Sequence, residues 1–193
     1  MPKIDAPTVA EHHRRRRAAL IEAGGTLLAE QGLDAVTLAS VGAATGLARS
    51  SVYQYFDSTP ALIAAVVEDA FPRATDLLAA AVAKAPTPLE KVTSYVRVAL
   101  DLAADPAHRS LYALADADLP VHCRARLGEL HQEQYAPLVD AVAGLGVKDA
   151  VLTTRLLGGL IQSGARAIND GLPKGHVQQQ TLALIRKGLD PAA

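Results

Sequence analysis

A chain of 193 residues is long enough to bury a substantial core, as one helical body or as a small domain joined to a larger one. Half of its residues are hydrophobic, yet no run approaches the roughly 18 to 20 uninterrupted apolar residues of a membrane span, which points to a soluble protein with no membrane partner. The net charge of -1 excludes a chain that is basic throughout, so any nucleic-acid footprint has to be local.

The opening MPKIDAPTVAEHHRRRR is basic but has no apolar block or small-residue cleavage site behind it, so it does not read as a secretory signal, and the cytoplasm is the expected compartment. The single cysteine, Cys123, precludes an intramolecular disulfide framework and a multi-cysteine metal site. In the first sixty residues Lys3, Arg14, Arg15, Arg16, Arg17 and Arg49 are balanced by Asp5, Glu11, Glu22, Glu30, Asp34 and Asp57. The dense basic run is HHRRRR, His12 to Arg17, which on its own is equally well a solvated helix start or a disordered tail.

Seven aromatic residues and the lack of period-two alternation argue against strands, while apolar residues recur at three- and four-residue spacing through most of the chain. The fold class is therefore all-α. A first helix is expected from about Glu11 to Gln31, with Leu20, Ala23, Gly24, Leu27 and Leu28 inward, and with Gly32 as a left-handed stop. Gly24 and Gly25 lie inside it at a cost of about 1 kcal/mol each relative to Ala, which a close helix crossing would offset. Thr37 is a suitable N-cap for a short helix ending at Gly46, and Leu47 and Ala48 connect it to a third helix, Arg49 to Phe56. Two short helices joined by a glycine-containing turn form a helix-turn-helix, and no hairpin follows to make a wing.

Ser58 or Thr59 caps a long fourth helix carrying Leu62, Val66, Ala70, Leu77, Leu78 and Val82, with Pro60 near its start. Further helices are expected from Pro88, around Leu111 to Leu114, from Leu119 to Val142, from Ala150 to Asp170 and from His176 to Leu189. The division is a DNA-binding domain with an N-terminal arm over residues 1–57 and a larger helical domain over 58–193.

A core helix has no need of the polar residues in ARSSVYQYF. In a DNA-reading helix-turn-helix the second helix enters the major groove, its first residues facing base edges and their neighbours holding phosphates. Arg49 heads that helix, Ser50 and Ser51 are short donors, and Tyr53 and Tyr55 offer hydroxyls to phosphate or rings to thymine methyls. Val52 and Phe56, four apart, would be the buried side; an amphipathic packing helix with exposed hydroxyls is the plainer alternative.

From Arg17 to Phe56, through LLAEQG, Thr37, VGAATGL and ARSSVYQYF, the chain resembles the DNA-binding domain of the TetR family of transcriptional regulators. The resemblance implies a homodimer that binds double-stranded operator DNA as a repressor and releases it when a small molecule enters the C-terminal domain. It implies DNA contacts at Thr37, Arg49, Ser50, Ser51, Tyr53 and Tyr55, with Tyr53 as phosphate anchor and Arg49 and Ser51 as base readers. Two departures remove charge: Thr59 stands where the family often has a phosphate-gripping lysine, and Ala39 where a polar or basic residue is frequent. Affinity would then lean on Arg49 and on the arginine run, with Arg14 and Arg15 near the backbone.

A sensing cavity should be mainly apolar with a few orienting polar groups. Between Leu119 and Val142, Leu127, Leu130, Gln134, Leu138 and Val142 form one stripe with His131 and Tyr135 beside it. His131, Gln134, Tyr95 and Tyr112 are the candidate ligand contacts of a small, largely apolar effector, with His108 and His122 behind them; satisfied core groups are the alternative. In LLGGLIQSGARAI and VQQQTLALI, Gly158, Gly159, Ser163 and Gly164 keep one surface low, and Leu156, Leu160, Leu184 and Ile185 add apolar area. Intramolecular packing accounts for that pattern as well. The resemblance implies instead that these helices pair with their copies, placing two recognition helices about 34 Å apart or more.

No catalytic role, metal or cofactor is expected. Cys123 beside His122 is a poor nucleophile and base pair, because neighbours on a helix point about 100° apart, and HExxH, a Gly-rich phosphate loop and GxSxG are all missing. The competing reading is a helical protein-protein interaction module without specific DNA binding.

Overall fold

The computed structural model describes residues 9–105, 108 and 121–189, and among these there is helix and no strand. The chain forms two compact units, Met1–Asp69 and Ala70–Ala193. The expected segment around Leu111 to Leu114 lies outside the described residues.

In the first unit α1 (Val9–Gln31) buries Leu20, Ile21, Gly24 and Leu28. Gly24 lets it approach the start of α4 (Thr59–Lys84), since a Cβ there would lie 2.8 Å from Val66 Cγ2. Gly25 meets only ordinary contact and so carries its helical cost without that return. Gly32 ends α1 at φ 83, ψ 179, outside the expected left-handed helical region, and leads into a 3-10 turn, Leu33–Ala35, that was not anticipated.

Helix α2 (Leu38–Thr45) starts on a reciprocal cap. The Ser40 N–H donates to Thr37 Oγ1 at 3.0 Å, and the Thr37 N–H donates to Ser40 Oγ at 2.9 Å. Gly46 closes it at φ 70, ψ 22, a left-handed conformation that glycine adopts without the Cβ penalty. Helix α3 covers only Arg49–Val52, not the expected span to Phe56. Beyond Val52 the ladder tightens into a turn: the Gln54 N–H donates to the Ser51 carbonyl and the Tyr55 N–H to that of Val52. Val52 and Phe56 are buried, as their spacing requires. Ser58 is the cap of α4, its Oγ accepting from the Ala61 N–H at 3.3 Å.

In the second unit, α4 contributes Phe71, Ala74, Leu78 and Val82 to the core, while Leu77, expected inward, is exposed because it points about 100° away from Leu78. Helix α5 (Pro88–Ala104) begins on a Thr87–Glu90 capping box and packs against α6 (Val121–Ala143), α7 (Ala150–Asn169) and α8 (Lys174–Leu189). Gly164 permits the close α5–α7 approach, since a Cβ there would sit 2.9 Å from Leu100 Cδ2. Among the described residues, no helix is long and apolar enough to cross a membrane.

Candidate functional site

The α2–α3 crossing places the candidate DNA contacts. The Leu47 N–H donates to the Gly42 carbonyl at 2.8 Å, and burial of Val41, Val52 and Phe56 turns the opposite side of α3 outward. Arg49 and Ser50 are exposed, Ser51 is half-buried, and Tyr53 remains 45% exposed. Arg49 Nη2 donates to the Tyr53 hydroxyl at 3.2 Å and its guanidinium lies 5.8 Å from that ring, so the two residues present one cationic, hydrogen-bonding edge. Gln54 is also exposed.

The N-terminal arginines belong to α1, and two aromatic contacts tie that helix to the recognition segment. The His13 ring stacks on Tyr55 at 4.5 Å between centroids, and the Arg17 guanidinium lies 5.1 Å from the Phe56 ring. Neither contact is legible in the sequence, because each needs the crossing of two elements to be known. Arg14 and Arg15 are exposed, and Arg15 pairs with Glu11 at 2.7 Å. Thr37 is half-buried and its hydroxyl serves the α2 cap, so capping is the role its geometry displays.

The second unit contains a small, partly open cavity of about 30 Å³, about the space of a single water. His131, Gln134 and Tyr95 all line it, with Phe71, Tyr135 and Gln162. Tyr95 is fully buried and its hydroxyl donates to the Gln134 main-chain carbonyl at 3.1 Å. His131 meets Phe71 edge-on at 5.0 Å and lies parallel to Tyr135 at 6.3 Å. Burial pushes the His131 imidazole below its ordinary value, outweighing a main-chain hydrogen bond at Leu127, and burial pushes the Tyr135 phenol up. Both are therefore uncharged near neutral pH. Tyr112 and the side chains of His122 and Cys123 lie outside what the structure describes, and His108 is held by Asp105 at 2.9 Å. Phe71 escaped the sequence reading because a lone phenylalanine in an alanine-rich helix looks like ordinary core.

On the outer side of α7 and α8, Leu156, Gly159, Leu160, Ser163 and Leu184 are all exposed. Ile185, expected on the same face, is 2% exposed: it follows Leu184 by 100° and points into the unit's own core.

These features define a fold class, a helical chain of two compact units whose N-terminal unit carries a helix-turn-helix. The model of the bacterial regulatory proteins of the tetR family matches residues 20–66. Over 98 residues the chain is 31% identical to the HTH-type transcriptional regulator BetI of Rhizobium meliloti (strain 1021), a match covering 51% of this chain and 45% of that relative. Its fold is similar to that of SCO4454, a TetR-family transcriptional regulator from Streptomyces coelicolor (TM-score 0.76, 21% identity, 95% of this chain and 94% of that one). It is also similar to a protein from Saccharomonospora viridis solved in complex with choline (TM-score 0.77, 16% identity, 90% and 96%). Residues 20–66 are thus similar to the tetR-family model, and the chain shares its fold with solved TetR-family regulators.

Proposed function

We propose that this protein is a cytoplasmic, homodimeric repressor that binds operator DNA through the α2–α3 unit and is released by a small, largely apolar effector in its second unit. The observation that carries the DNA reading is the division of the Arg49–Phe56 segment: Val52 and Phe56 are buried, while Arg49, Ser50 and Tyr53 stand outward at the end of a glycine-closed turn. The effector reading draws on the uncharged, aromatic-lined surroundings of His131, Tyr95 and Tyr135 in the second unit. Fluorescence anisotropy tests the reading, with DNA flanking the protein's own gene against a scrambled duplex of equal length. A preference of about 10³-fold or more is expected for a specific regulator. Equal, weak binding to both would leave two readings, an operator elsewhere or an interaction module without specific DNA binding.

The arginine run provides the sequence-independent part of this affinity. Neutralising Arg14 and Arg15 is expected to weaken operator and scrambled duplexes by similar factors. It should also flatten the plot of log affinity against log salt by about 0.9 per lost phosphate contact. An unchanged slope would remove these side chains from the interface.

Tyr55 has a second function available besides a phosphate contact, because its ring carries His13 and so holds the arginine-bearing end of α1. Tyr55→Phe keeps the stack and loses only the hydroxyl, so its operator affinity should stay within about threefold of the parent. Tyr55→Ala should lose roughly tenfold, the scale of one aromatic pair. Equal losses in the two variants would assign the hydroxyl to DNA.

A further inference from the structure

The second unit has a larger concavity than the cavity just described. An open groove of about 660 Å³ runs between α6 and α7, within the range of about 300–1,000 Å³ typical of small-molecule sites. It shares His131, Tyr135 and Gln162 with the inner cavity, so these three side chains form a wall common to both.

The groove's chemistry is specific. Ala136, Val139 and Val151 give it apolar walls, and Gly158 and Gly159 leave one side without Cβ atoms. Gly158 makes room for the Tyr135 phenol, whose oxygen would lie 3.0 Å from a Cβ at that position. Its two charged side chains, Asp140 and Arg155, have opposite signs and are exposed. Thr154 also lines it, is 4% exposed, and has a buried hydroxyl oxygen without a hydrogen-bond partner. Leaving such a group unpaired is costly enough that native folds rarely do so without a reason.

The groove borders the proposed dimer face and shares Gly159 with it, but its other α7 residues lie off that face. Leu152, Leu156 and Ser163 form one stripe of α7, and Val151, Arg155 and Gln162 repeat the same spacing one residue earlier, about 100° around the helix.

We infer that the α6–α7 groove is a binding site for an uncharged, mostly apolar small molecule bearing one hydroxyl or carbonyl group, which hydrogen-bonds to Thr154 Oγ1. This rests on the reading of the second unit as the effector-binding one, and it moves the seat of the ligand from the inner cavity, which holds no more than a water, to the groove beside it.

The test uses the full chain and two probes of matched size, 1-naphthol and 1-methylnaphthalene, followed by fluorescence titration. The ratio of naphthol to methylnaphthalene affinity is expected to fall about tenfold in Thr154→Val, with methylnaphthalene affinity changed less than twofold. Thr154→Val is isosteric and discards an unpaired hydroxyl, so it should melt at the parent temperature or above. Val151→Trp, on an exposed wall, should weaken both probes at least tenfold without altering the melting temperature. Choline, a permanent cation, should not displace naphthol. An unchanged affinity ratio, a melting temperature several degrees lower in Thr154→Val, indifference of both probes to Val151→Trp, or displacement by choline would each overturn the proposal. Naphthol that meets all these expectations yet leaves operator binding unchanged supports the groove as a site and counts against the effector reading alone.

Discussion

Gly42→Val is expected to lower operator affinity by about a hundredfold while the second unit keeps its helices. Gly42 lies within α2 where that helix crosses the turn into α3, and a Cβ there would be 2.8 Å from the Leu47 carbonyl oxygen and 3.0 Å from Val52 Cγ2. The first of these neighbours is main chain and cannot rotate away. It also belongs to the segment whose N–H closes the turn on the Gly42 carbonyl, so relief of the clash moves the connection that aims α3. Overpacking of this kind typically costs 1–3 kcal/mol and occasionally more, and about 2.7 kcal/mol corresponds to a hundredfold. Gly42→Ala should be milder, because its better helix propensity returns up to about 1 kcal/mol. Thermal unfolding by circular dichroism and anisotropy titration of the operator measure the two consequences. Parent-like operator affinity in both variants would show that the crossing has slack that the geometry does not suggest.

That prediction depends on a glycine whose importance the sequence shows only partly. Gly46 was legible as the end of α2, whereas the left-handed conformation was expected at Gly32 and is found at Gly46, with φ 70 and ψ 22; Thr37 was legible as a cap because its own side chain supplies the acceptor. Gly42 was one small residue among several, because the need for it arises from Leu47 and Val52 approaching from elsewhere. The same distinction separates the rest. Helix spans from Pro88 and Ala150 follow from caps at Thr87 and Asp149 that act within a few residues. The end of α3 at Val52 does not, since residues 53–56 have helical composition and shift to tighter bonds only as Phe56 is drawn into the core.

The candidate sites divide in the same way. Arg49, Ser50, Ser51 and Tyr53 stand out in the sequence as candidates because polar side chains on a short helix suggest a partner. The His13–Tyr55 and Arg17–Phe56 contacts and the unpartnered Thr154 hydroxyl are not legible in the sequence, because each depends on residues of another element or on the lack of one. Leu77 and Ile185 show the limit of apolar counting: in the adjacent pairs Leu77–Leu78 and Leu184–Ile185 one leucine is exposed while its neighbour is buried, and the residue types do not say which.

Leu156→Glu is expected to separate dimerisation from folding. Leu152, Leu156 and Leu184 are 53%, 65% and 61% exposed, an apolar stripe of a kind that isolated helical bodies seldom leave uncovered. A charge at an exposed position changes the stability of a single copy by no more than about 0.5 kcal/mol, so the monomer should fold as before. In an interface with two-fold symmetry the same change occurs twice, and each copy loses the roughly 1.5–3 kcal/mol of a buried leucine. The sum, about 3–6 kcal/mol, raises the dimer dissociation constant by about 10² to 10⁴. Sedimentation at micromolar concentration should then find monomer with an unchanged circular dichroism spectrum. Operator binding should fall because two half-sites are no longer engaged by one linked pair of recognition helices, whereas affinity for a duplex carrying a single half-site should stay at the parent value. Loss on both duplexes would mean that the substitution reaches the DNA-binding unit itself, and a dimer that survives Leu156→Glu would place the shared surface elsewhere.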